Sequence, residues 1–83
     1  MTLEEQLSHF DRYSDKAYTR CLKDFKVRRD QIIAAARERI IAGYEEYGAV
    51  GYSWGYHPLH SAELEEAADM VNYRLMKMYQ GWP

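Results

Sequence analysis

Cysteine occurs once in this chain of 83 residues, at Cys21, so no disulfide within the chain can staple the fold. A lone thiol outside any CxxC or Cys/His spacing suits a reducing compartment, and a cytoplasmic protein is the simplest expectation. Breakers are scarce in the first half. Both prolines and four of the five glycines lie at or after Gly48, which leaves Gly43 alone within residues 1–47. No apolar run approaches the roughly 18–20 residues of a membrane span, so no membrane partner is expected. The opening Met1-Thr-Leu-Glu-Glu-Gln6 is acidic, unlike a signal or transit peptide. A strong charge of one sign is missing too. The net charge is −2, which argues against a general nucleic-acid partner. The basic stretch Arg20–Arg29 is diluted by Asp24, with Asp30 next to it, and reads as a solvated helix face. Neither a Walker-type glycine loop nor a GxSxG element is present, which leaves P-loop and α/β-hydrolase chemistry without support.

What is abundant is aromatic. Eight tyrosines and two tryptophans are many for a small chain, and such residues concentrate at interfaces and ligand sites. A chain this short buries only about 60–65% of the surface its unfolded form exposes. Self-association is the obvious further source of buried area, so a homo-oligomer, dimer or higher, is expected.

Periodicity predicts an all-α fold: a small bundle of two to three main helices with a Gly/aromatic loop, completed by oligomerisation. The helices are placed at roughly 2–22, 25–47 and 59–80, with the loop at 48–58, in a single helical domain 1–83. Thr2-x-x-Glu5 is a capping-box signature opening the stripe Leu3, Leu7, Phe10, Ala17, Cys21. A break near Asp11–Asp15 is open, with Ser14 or Asp15 as the cap of a new start. Cys21 falls in the apolar stripe and reads as a small core residue. The second stripe is Ile33, Ala36, Ile40, Tyr44, Tyr47, ended by Gly48 in a left-handed C′ role. Asp24 and Asp30 both qualify as caps for the restart between the two helices, which form either one rod or a bent pair.

The loop interleaves glycines with Tyr52, Trp54 and Tyr56, and two readings stand: aromatics pinned on the core, or flat faces offered to a ligand ring. The third helix is expected to start between Pro58 and Ser61, with Ser61 as its cap. It follows Leu64, Ala67, Ala68, Val71, Leu75, Met78 and Tyr79. Gly81 ends it, with Trp82 folding back on Met78 in a Schellman arrangement and Pro83 as the stop.

Glu66 and Asp69, three apart on this helix, are neighbours that can share one divalent cation. Met70, Tyr73 and Met76 lie on the same side, a mixture suited to a cleft or subunit interface. On the second helix, Glu38 and Glu45 lie opposite the apolar stripe, and Glu45 is the best placed to face the third helix. The plainer reading is a set of solvent-side acids with local Glu/Arg pairing. His57, His60 and Glu63 offer a looser transition-metal set. His9 stands alone near Asp11 or Arg12.

Arg39-Ile-Ile-Ala-Gly-Tyr-Glu-Glu-Tyr-Gly48, the aromatic linker with Trp54 and Pro58, and Leu64-Glu-Glu-Ala-Ala-Asp-Met-Val-Asn-Tyr73 together resemble the MazG-like all-α nucleoside triphosphate pyrophosphohydrolases, in particular small phage-type relatives. The likeness covers residues 37–79. It implies a helical oligomer that holds Mg²⁺, with Mn²⁺ as substitute, on a nucleoside triphosphate and splits it to a monophosphate and pyrophosphate. By resemblance Glu66 and Asp69 are metal ligands, and Glu45 or Glu46 is a catalytic ligand or general base. Asn72, Trp54 and Lys77 are the substrate-binding candidates. The family carries a further Glu three positions before its Glu pair, where this chain has Ala42 or Gly43. That departure reads as a catalytically degenerate member. The alternative expectation is a non-enzymatic helical module, an adaptor or inhibitor, that docks its Tyr/Trp/Met surface on a protein partner.

Overall fold

The computed structural model describes residues 1–82, so the stop assigned to Pro83 lies outside them. Among the described residues there are three α-helices and one short 3₁₀ turn: α1 Leu3–Val27, α2 Arg29–Tyr47, the 3₁₀ turn Val50–Ser53 and α3 Tyr56–Tyr79. The fold is all-α. Among the described residues no helix is long and apolar enough to cross a membrane.

The start of α1 follows the local code. The Thr2 hydroxyl accepts from the Glu5 amide at 3.1 Å, and the Glu5 carboxylate accepts from the Thr2 amide at 3.3 Å, which completes a capping box. The helix then runs unbroken through Asp11–Asp15, five residues past the expected end at 22.

The restart falls at Arg28, and no side chain caps it. Arg28 leaves the helical basin at φ −99° and ψ 21°, yet its amide still bonds the Asp24 carbonyl and its carbonyl still accepts from Ile32. Between these two bonds the amides of Arg29, Asp30 and Gln31 make no backbone bond back to α1, so the redirection costs one turn of helical hydrogen bonding. A straight rod of both helices would span about 68 Å at 1.5 Å per residue. The whole molecule measures 40 × 27 × 21 Å, so α2 bends sharply away from α1.

Helix α2 ends at Gly48, whose φ of 61° with ψ −138° is open to glycine and strained for other residues. The sign of φ matches the expectation, but the ψ lies outside the left-handed helical region. Helix α3 begins at Tyr56 behind Gly55, earlier than expected, and Ser61 lies inside it. Pro58 sits in the first turn, where amides have no helical partner to lose. At the far end the Trp82 amide bonds the Lys77 carbonyl at 2.8 Å and the Gly81 amide bonds Met78 at 3.0 Å, with Gly81 at φ 89°. That is the Schellman pair.

Only α1 and α3 pack extensively; α2 meets α1 near the bend and makes no more than glancing contact with α3. His9 and Asp24 stand fifteen positions apart on α1, about 22 Å along its axis, yet they bond to the adjacent residues Leu75 and Arg74. Helix α3 runs back along α1, with residues 72–80 beside residues 3–10 and residues 67–71 beside residues 18–25. The buried residues are Ala17, Leu75 and Cys21, at 0%, 5% and 8% exposure. A single methyl group fills the fully buried position 17. Cys21 is the small core residue its stripe implied, and its thiol lies 3.5 Å from the Met70 carbonyl.

Candidate functional site

The crossing of α1 and α3 leaves hollows on its flanks. One groove of about 430 Å³ is lined by Leu3, Leu7, Phe10, Leu75, Met76 and Tyr79, among others. A smaller apolar hollow of about 200 Å³ lies between Tyr18, Leu22 and Phe25 of α1 and Ala67, Met70 and Val71 of α3. Leu3, Leu7, Phe10, Leu22 and Phe25 are all exposed. The α1 stripe is thus only partly used by α3, which covers Ala17 and Cys21 and leaves the rest open.

Helix α2 is more extreme. None of its residues is buried, and Ile33, Ile40 and Tyr44 are 53%, 60% and 65% exposed. An isolated helix of 19 residues is marginal in water, because helices in proteins draw most of their stability from packing an apolar face.

The surface area puts a size on this. The chain exposes 7527 Å², whereas a compact monomer of 9.8 kDa exposes about 5,200 Å². The radius of gyration is 15.7 Å, against about 12 Å for a compact chain of this length. The chain is an open scaffold whose exposed area exceeds that of a compact monomer by roughly 2,300 Å².

The polar contacts of the crossing sit to either side of the core. The Arg74 guanidinium, mostly buried, donates to the Asp24 carboxylate. That hydrogen bond holds the Asp24 carboxyl below its usual range, against the opposing effect of burial, with help from the positive charges of Arg74, Arg28 and Lys77. Arg74 is raised in turn, first by Asp24. On the other side His9 Nε2 lies 2.8 Å from the Leu75 carbonyl and must donate to it, and the His9 ring packs on Tyr13 and Tyr79. His9 is therefore part of the helix–helix contact, not a surface residue beside Asp11 or Arg12.

The acidic candidates lie elsewhere. Glu45 and Glu46 are exposed at the end of α2, and Glu66 and Asp69 are exposed on α3. Among the described residues no group of three or more His, Cys, Asp or Glu is placed to hold a metal ion. A single chain therefore does not fit a closed Mg²⁺ cage, nor the His57, His60, Glu63 set. The Tyr56 ring instead stacks on His60, with ring centroids 5.4 Å apart and planes 8° from parallel.

The substrate-binding candidates are not brought together either. Asn72 lines the larger apolar groove, Lys77 lies in the hollow around Asp24 and Arg74, and Trp54 follows the 3₁₀ turn. The aromatic loop is not pinned inward: Tyr52 is 87% exposed, Tyr56 is exposed and Trp54 is about half exposed.

One signal in the sequence was missed by reading motifs alone. Residues 40–72 carry six acidic side chains and no lysine or arginine, while residues 12–29 carry seven lysines and arginines and two acids. Within the chain these two regions do not neutralise each other. Among the described residues the ion pairs are Asp24 with Arg74 and Arg29 with its neighbour Asp30.

No protein family, curated protein or solved structure matches this chain.

Proposed function

We propose that this chain is a non-enzymatic helical association module, which works by docking apolar helix faces on protein. The surface excess carries the reading: 7527 Å² exposed, with α2 free of any buried residue. A functional surface made of Ile, Leu, Phe, Tyr and Met on helices is that of a helix-in-groove binder. The test is the state of the lone chain in dilute solution. Its α2 amides are expected to exchange rapidly and its melt to be broad. A cooperative, fully helical dilute monomer would contradict the reading.

A second reading keeps the resemblance to the pyrophosphohydrolases. It is favoured by Glu66 and Asp69 standing exposed and unpaired with any cation among the described residues. Glu45 or Glu46 would then have to be supplied across an assembly, because among the described residues no three carboxylates gather within one chain. Calorimetric titration of Mg²⁺ and Mn²⁺ into the protein and its Asp69→Asn variant decides this reading. Saturable binding lost in the variant supports it, and no binding up to several millimolar contradicts it.

A further inference from the structure

We infer that the protein seated on this surface is a second copy of the same chain, in a two-fold dimer that covers α2. The inference rests on the association-module reading and names its partner.

Area is the first argument. The surface excess over a compact monomer is roughly 2,300 Å² per chain, and obligate homodimers bury about 1,000–2,500 Å² per chain. One further copy is therefore enough to bring each protomer to an ordinary exposed area.

Self-complementarity is the second. The chain carries an unsupported apolar helix face, Ile33, Ile40 and Tyr44. It also carries apolar hollows of about 430 Å³ and about 200 Å³ beside the α1–α3 crossing. A two-fold axis seats each α2 on the other chain's α1–α3 surface, so both contacts form twice, and closure leaves nothing to propagate into a filament. The product is a helical bundle with coiled-coil-like packing of apolar stripes.

Charge is the third. The charged side chains of residues 40–72, histidines aside, are all acidic and residues 12–29 are strongly basic, and among the described residues no ion pair joins the two regions. An antiparallel copy offers each region the opposite sign. Such complementarity fixes register and orientation more than it adds affinity.

The test is sedimentation equilibrium of the full chain from micromolar to hundreds of micromolar, with Ile40→Glu, Ile40→Leu and two charge variants. The natural chain is expected at twice its mass, and Ile40→Glu is expected to weaken the dimer at least about tenfold while Ile40→Leu leaves it. In case Ile40→Glu fails to fold, the exposed changes Glu63→Lys with Glu66→Lys, and Lys16→Glu with Lys23→Glu, supply an independent readout. Each double variant alone associates more weakly than the natural chain, and mixing the two restores a dimer. A chain that stays monomeric with unprotected α2 amides overturns the second copy and leaves the association reading with a different protein. A monomer with protected α2 amides overturns both.

Discussion

The Arg74 guanidinium on α3 donates to the Asp24 carboxylate on α1, fifty residues earlier, and ties the second half of the chain to the end of α1. The bond holds the carboxyl of Asp24 below its ordinary value of 3.8. A carboxylate whose folded value is lowered stabilises the fold above its unfolded value and loses that contribution as pH falls through the folded one. The stabilisation from this pair is therefore intact at neutral pH, begins to fall below about pH 4 and is lost as pH drops through the lowered folded value. Acid titration of stability for the natural chain and Asp24→Asn checks it. The two are expected to differ at pH 7 and to converge in acid. Arg74→Lys should recover part of what Arg74→Ala loses, because it keeps the charge and loses the planar fork.

The crossing depends on one small and one large residue. Leu75→Ala removes most of the side chain packed at the crossing and is expected to cost about 2–5 kcal/mol. Ala17→Leu forces bulk into a fully buried position and is expected to cost about 1–3 kcal/mol. Chemical denaturation at fixed protein concentration measures both. Equal or higher stability of Ala17→Leu would show that the helices are not held together at this point.

The first turn of α1 stands on the Thr2–Glu5 box. Thr2→Ala leaves an amide without its acceptor and is expected to lower stability by about 1 kcal/mol. Thr2→Ser should lose almost nothing. The same denaturation series reads the difference.

The parts of the fold that were legible in the sequence are those fixed by contacts a few residues apart. The capping box needs only Thr2 and Glu5, and the Schellman end needs only Gly81 and the residues just before it. The restart between α1 and α2 was not legible. Asp24 and Asp30 both have the side chain of a cap, but Asp24 is taken by Arg74 from α3 and Asp30 by its neighbour Arg29. The bend then falls on Arg28, which carries no capping signature. His9 was misplaced for the same reason, since its partner Leu75 lies 66 residues away.

The candidate site was legible in outline. The helices stand where periodicity put them, while Met70, Tyr73 and Met76, expected on the side of the acids, line the hollows beside α1 and remain exposed. What spacing alone could not supply is that most of the apolar stripes stay exposed within the chain. A helical period marks an apolar face without saying whether anything covers it.

The central claim is that α2 is held by another chain, and hydrogen exchange across a dilution series tests it most directly. Amides from Ile33 to Tyr44 are expected to be protected at high protein concentration and to lose protection on dilution. Over the same range, amides around Ala17 and Leu75 should keep more of theirs, because α1 and α3 cover them within the chain. Protection of α2 that stays high and unchanged from the most concentrated to the most dilute sample would contradict the account.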